Sequence, residues 1–230
     1  MGRAEARLRG IHLESFFGTP EVGLFALPTE EICIVPPQLK PRQKKLIAEA
    51  LGVEVVATTL AGSFLISPMA AGNSNGLVVS VMALEEEVDV VRRKAPDLNI
   101  LILRSKYTAV GNLILANDKA ALVSPLLRKK EAEEIGDILG VEVVRDRIAG
   151  RPYVGSLAVI TNQGGLIHTD ASEEEEKRLR ELFKVDIYPG TVNDGVPFVR
   201  SGVIANTKGA IIGSLTTGPE LMNISRALGV

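Results

Sequence analysis

The sequence predicts an α/β fold, a closed ring of five pseudosymmetric ββαβ repeats. Three observations predict it. Paired apolar runs return at a fixed beat, a helix-patterned segment follows each pair, and the last unit lacks a strand that the start of the chain can supply. The first run of each pair opens at Val22, Ile66, Val110, Val154 and Val199, in steps of 44, 44, 44 and 45 residues. The second run passes through Cys33, Val78, Leu122, Ile167 and Ile211, in steps of 45, 44, 45 and 44. A fixed period of this size is the mark of a repeat architecture.

The two runs of a unit are joined by short polar turns, "PTEE", "GNSNG", "NDKA", "TNQGG" and "NTKG". Two β-rich runs across such a turn read as a β-hairpin. Helices are expected at 41–51, 83–95, 128–139, 172–183 and 219–228. Pro41 suits a first turn, and Ser172 followed by Glu175 reads as a capping box. Gly52, Pro96, Gly140 and Gly229 stop four of the five. A third strand follows at Val53, Leu98, Val141 and Val185, but the fifth helix runs into the end of the chain. "IHLESFF", 11–17, precedes the first hairpin with no helix before it. It can pair with the last unit and leave no open sheet edge. Blades of the WD type need a Trp-Asp signature and this chain has no Trp; HEAT-type repeats are all helical.

Residues 11–230 are therefore expected to form one domain, with 1–10 ("MGRAEARLRG") as a flexible extension rather than a secretory signal. Net charge is −2, from 26 basic and 28 acidic residues, so the totals do not indicate a strongly basic nucleic-acid binder. One cysteine, Cys33, excludes an internal disulfide and any multi-cysteine metal site, and fits a cytoplasmic setting. No apolar run reaches membrane-spanning length. No phosphate-cradling G-x-x-x-x-G-K-[ST] loop occurs.

Long phrases in order now carry a resemblance: "AVGNLILANDKAALVSP" at 109–125, "VGSLAVITNQGGLIH" at 154–168, "PGTVNDG" at 189–195 and "TTGPEL" at 216–221. From about Ser15 to Val230 the chain resembles the archaeal translation initiation factor 6 family, whose eukaryotic counterpart is a ribosome anti-association factor. The resemblance implies the pentein fold, an α/β-propeller, in agreement with the repeat count. It implies a monomer with no cofactor, metal or small-molecule substrate. The implied partner is the intersubunit face of the large ribosomal subunit, at an L14-type ribosomal protein near the sarcin–ricin loop of the rRNA. Joining of the small subunit would be blocked by steric occlusion, without enzymatic activity. The family's Gly-Asn contact motif falls on Gly111 and Asn112, and a further contact position falls on Phe198. The second unit departs from the pattern with "ISPM", so no contact is carried over to Pro68.

Competing readings attach to each residue. Gly111, Asn112, Gly155 and Ser156 are repeat positions, which usually serve the fold. Asn112 has unlike counterparts (Leu24, Pro68, Ser156, Ser201), which a shared fold requirement would not produce. The rival function is an amidine-modifying enzyme of the same fold using Cys33 and His168. Both residues fall in slots that the other units fill with aliphatics, where a thiol behaves as a small hydrophobe. A direct rRNA-binding module is the second rival. Its least ordinary basic cluster is Arg145, Arg147 and Arg151, and the low aromatic content offers few stacking platforms.

Overall fold

The computed structural model describes residues 10–230. The expected flexible extension lies outside the described residues except for Gly10, whose carbonyl accepts a hydrogen bond from Ala210 N–H at 2.5 Å. Five three-stranded sheets carry five helices of ten or eleven residues. After β1 (Ile11–Glu14), unit 1 holds β2 (Leu27–Pro28), β3 (Ile32–Val35), α1 (Pro41–Leu51) and β4 (Glu54–Ala57). Unit 2 holds β5 (Ala70–Gly72), β6 (Gly76–Ser80), α2 (Glu85–Lys94) and β7 (Asn99–Leu103). Unit 3 holds β8 (Ile114–Ala116), β9 (Ala120–Val123), α3 (Lys129–Leu139) and β10 (Glu142–Arg145). Unit 4 holds β11 (Ala158–Ile160), β12 (Gly164–Ile167), α4 (Glu173–Phe183) and β13 (Asp186–Pro189). Unit 5 holds β14 (Val203–Ala205), β15 (Ala210–Gly213) and α5 (Gly218–Leu228).

In every sheet the second hairpin strand is central. It is antiparallel to the first strand and parallel to the third, which returns through the helix. In the fifth sheet β1 takes the third place, parallel to β15 in the register Ile11↔Ala210 to Glu14↔Gly213. The middle strands are buried on both faces, which is why they lack the alternating polar residues of half-exposed strands. Helix ends follow the sequence signals. Gly52, Gly140 and Gly229 adopt left-handed φ of 58°, 65° and 72° at the C-caps, and Ser172 Oγ accepts from Glu175 N–H at 3.2 Å.

One expectation is corrected. The first apolar run of each unit does not begin as a strand. Val22–Phe25, Ser67–Met69, Val110–Asn112 and Val199–Gly202 are single 3₁₀ turns, and Val154–Leu157 is a single α turn. The reason is contact with the neighbouring unit. A Cβ on Gly155 would stand 2.0 Å from Gly111 O, one on Gly111 1.9 Å from Ser67 O, and one on Gly23 2.0 Å from Arg200 O. At these three joints the turns abut backbone to backbone, and only a residue without a side chain there allows it. The strand expected at 11–17 also ends early, at Glu14, because Phe17 and Gly18 form a turn with φ of 53° and 82°.

The core is five clusters, each shared by two neighbouring units. Ile34 and Leu60 meet Ile66 and Val88, and Val78 and Leu103 meet Val110 and Ile135. Leu122 meets Val154 and Phe183, and Leu166 meets Val199 and Ile224. Cys33 and Ile47 of unit 1 meet Ile204 and Ile211 of unit 5. At the hairpin turns, buried amides clamp the next unit. Asn73 Nδ2 donates to Asn117 O and Leu139 O, and Asn117 Nδ2 to Thr161 O and Phe183 O. Asn206 Nδ2 donates to Thr29 O and Leu51 O, across 177 and 155 residues of chain.

Candidate interaction face

The molecule has two unlike ends. One carries the hairpin turns and the helix C-termini and is polar: Glu30, Ser74, Asp118, Asn162 and Thr207 stand there. Ser74 N–H and Oγ donate to Asp118 at 2.8 and 2.7 Å, and Asn162 Nδ2 donates to it at 2.6 Å. The other end carries the helix N-termini, the single helical turns and the loops that lead into them. Four of those loops are two-to-three-residue turns with left-handed non-glycine residues: Phe17, Ala61, Ala149, and Asn193 with Asp194.

A second repeat, invisible as a motif, fixes these loops. The third residue of each helix is Gln43, Glu87, Glu131, Glu175 and Glu220. Each side chain caps its own helix start, and four of them also reach the loop. Gln43 Nε2 donates to Ser15 O at 2.9 Å; Glu87 accepts from Ala61 N–H and Gly62 N–H at 2.7 and 2.8 Å. Glu175 accepts from Ala149 N–H and Glu220 from Gly195 N–H, both at 2.9 Å. Burial alone would lift the Glu220 carboxyl. The Thr191 hydroxyl, the Thr217 and Gly195 amides and the Thr217 hydroxyl outweigh it and hold the group at about 2.

Exposed apolar side chains gather at this end. Phe17 is 48% exposed and Phe64 52%, their ring centroids 5.9 Å apart, and Phe64 stacks on buried Phe25 at 6.0 Å. Tyr153 and Phe198 sit just before the helical turns of units 4 and 5, both about half exposed. Val81, Met82, Leu84 and Leu215 are exposed on the connections into α2 and α5. A bulky aromatic with positive φ, as at Phe17, is strained backbone, of the kind that accumulates at functional sites.

The residues singled out in the sequence fall here in different roles. Asn112 lines a groove of about 290 Å³ with Lys106, Tyr107, Leu126 and Tyr153. Gly111 is buried behind it against Ser67. Phe198 is exposed, with its ring edge-on to His168 at 5.5 Å. Of the basic cluster, Arg151 pairs with Asp170 at 2.8 Å and Arg145 donates to Pro125 O. Phe17, Phe64, Tyr107 and Tyr153 escaped the sequence reading. The doublets "FF" at 16–17 and "PY" at 152–153, next to Gly-containing turns, were the available signal.

Cys33 and His168 are not brought together. Cys33 is fully buried in the shared core of units 5 and 1, and burial pushes its thiol up to about 12. His168 packs under Phe198, and its Nδ1 accepts from Asp170 N–H at 3.0 Å. Burial, then the Arg151 charge, lowers its pKa, and Asp170 only partly opposes them. Because the folded-state value lies below the unfolded one of about 6.5, its stabilising contribution is complete above that pH. It is lost as pH falls from there toward the lowered value. Urea midpoints at pH 7.5 and 5.0 should therefore drop further for the wild type than for His168→Gln. Equal drops would refute the assignment.

Among the described residues no helix is long and apolar enough to cross a membrane, and no group of acidic, His or Cys side chains is arranged to hold a metal. What fold and face define is an α/β protein of five ββαβ units with its exposed apolar surface at one end. A model of the eIF-6 family matches residues 11–227. Proteins named translation initiation factor 6 are similar along nearly the whole chain. That of Staphylothermus marinus is 44% identical over 216 residues, 93% of this chain and 95% of its own. That of Pyrococcus horikoshii is 44% identical over 225 residues, 95% and 99%. That of Pyrobaculum arsenaticum is 42% identical over 213 residues, 93% and 96%. The chain belongs to the eIF-6 family of translation initiation factors.

Proposed function

We propose that this factor binds the intersubunit face of the large ribosomal subunit and keeps the small subunit away by occupying its place. The observation that carries the reading is the asymmetry of the two ends. Aromatic and aliphatic side chains stand exposed where the loops and helical turns meet, while the opposite end is polar. Patches of that kind mark protein contacts. The contact is assigned to the end with the helix N-termini. Asn112, Tyr107 and Tyr153 form its groove, and Phe198, Phe17 and Phe64 stand around it as anchors. Gly111 acts from behind, holding the turn that presents Asn112.

The partner in this reading is an L14-type ribosomal protein, with rRNA near the sarcin–ricin loop at the margin. The chain has no net basic charge, and the exposed anchors at this end are aromatic and aliphatic, which favours protein contact over rRNA contact. About 800 Å² per partner suffices for a stable complex of this sort. Steric exclusion needs binding energy only, and a neutral thiol buried in a core cluster that does not include His168 gives no nucleophile for the enzymatic alternative. The protein works as a cytoplasmic monomer. Residues 11–230 close as one five-unit ring, a reading supported by the cyclic sharing of core clusters and by β1 in the fifth sheet.

The test is co-sedimentation with purified large subunits, followed by addition of small subunits. The wild type is expected to travel with large subunits and to lower the joined-ribosome peak. Asn112→Ala with Phe198→Ala should weaken binding about tenfold to a hundredfold, as loss of interface anchors does, while thermal unfolding stays within a few degrees of wild type. A wild type that binds neither subunit would end this reading.

A further inference from the structure

Position 200 alone carries a long, charged side chain at this place in the helical turns. The second residue of the turn region is Gly23, Ser67, Gly111 and Gly155 in four units, and Arg200 in the fifth. The Arg200 side chain lines a small internal chamber whose walls come from the first hairpin strand of every unit, Leu27, Ala71, Ile114, Val159 and Val203 among them. Its free volume of about 30 Å³ is room for about two water molecules. Nε of Arg200 donates to Ser67 Oγ at 3.0 Å, from unit 5 to unit 2. Among the described residues the guanidinium has no other hydrogen bond and no carboxylate partner. No fully buried side-chain nitrogen is without a partner, so the two terminal nitrogens keep solvent access, and Arg200 is the one charged residue lining this chamber.

A cation held among aliphatic walls with no counter-charge is costly, and the cost is relieved by an anion. The Cys33 thiol, on which the Arg200 charge acts, is not that anion, because burial keeps it protonated to about 12. Burial also lowers the Arg200 guanidinium, to about 10. The chamber adjoins the polar end through a collar of Pro28, Gly72, Ala116, Ile160 and Ala205, residues common to both cavities. Beyond the collar stand the carboxylates of Glu30 and Asp118, each engaged by neutral donors of a neighbouring unit. Two negative groups at the mouth disfavour polyvalent anions such as phosphate. A planar guanidinium with two free parallel donors suits a planar acceptor pair.

We propose that this chamber binds one small planar monoanion, of the size of formate, nitrate or bicarbonate, on the two terminal nitrogens of Arg200. The site is separate from the interaction face and does not depend on the ribosomal reading.

Crystals of the full chain soaked in bromide locate the site by anomalous scattering. A peak beside the Arg200 terminal nitrogens, reduced when formate is added in excess, is expected. In solution, a tenfold excess of formate over its dissociation constant should raise Tm by about 3–6 °C at constant ionic strength. Arg200→Gln should remove that rise, and Arg200→Lys, which keeps the charge and loses the fork, should reduce it. The wild-type bromide and formate competition decides the matter even if a variant does not fold. No anomalous peak in the chamber, or an equal formate response in wild type and Arg200→Gln, overturns the proposal.

Discussion

Gly155→Ala should destabilise the protein by about 4 kcal/mol or more, although it adds one methyl group at a position of ordinary backbone angles. The methyl carbon would stand 2.0 Å from Gly111 O and 2.6 Å from Ile114 O, and both are backbone atoms that cannot rotate away. Relief requires the turn of unit 4 to withdraw from that of unit 3. The shared cluster of Leu122, Val154 and Phe183 would then open as well. At about 2–4 °C per kcal/mol for a chain of this size, Tm should fall by about 8–16 °C. The control is Gly150→Ala. Nothing lies within 4 Å of its Cβ, but its φ is +70°, so only the left-handed penalty of about 1–2 kcal/mol applies. If the two variants lose the same stability, close approach is not what position 155 requires. The same methyl presses on the Gly111–Asn112 peptide, so any Gly155→Ala protein that folds should also bind the large subunit less well.

That pair of glycines measures what the sequence made legible. The 44-residue beat, the paired runs and the helix stops at Gly52, Gly140 and Gly229 were all readable, because each repeats a local rule of backbone and burial. The helical turns were not. Val-Gly-x-Leu has a β-rich composition, and the force that coils it is contact with another unit, about 44 residues away. The side-chain ties from Gln43, Glu87, Glu175 and Glu220 to the loops were hidden for the same reason. Only Ser172 with Glu175 and Thr217 with Glu220 carried the full local capping signature. Asn112 stood out through unlike counterparts, and it lies in a groove. Phe17 and Phe64 did not stand out, since a lone aromatic near a turn reads equally well as core. Their exposure depends on which way the loop is tied.

Asn206→Ala should cost about 2–4 kcal/mol, from a buried amide that no hydrophobic count would flag. Its Nδ2 serves Thr29 O and Leu51 O, and its Oδ1 accepts from Lys208 N–H at 3.0 Å. Alanine leaves two carbonyls of unit 1 without donors, one of them in the last turn of α1. Asn206→Thr separates the two jobs. Thr29 and Thr161 hold the same place in units 1 and 4, where the hydroxyl accepts from the turn amides but reaches no neighbouring helix. Threonine should therefore keep the turn, lose the clamp and recover about 1 kcal/mol relative to alanine. The joint matters beyond its bond count, because Asn206 lies where the two ends of the chain meet. The contacts of β1 with β15 span almost the whole sequence, so their closure entropy is the largest in the molecule and they should form late in folding. Interactions made after the transition state act on unfolding. The loss at Asn206 should thus appear as an unfolding rate raised about a hundredfold with the folding rate nearly unchanged. Slowed folding instead would place the joint of units 5 and 1 in the folding nucleus.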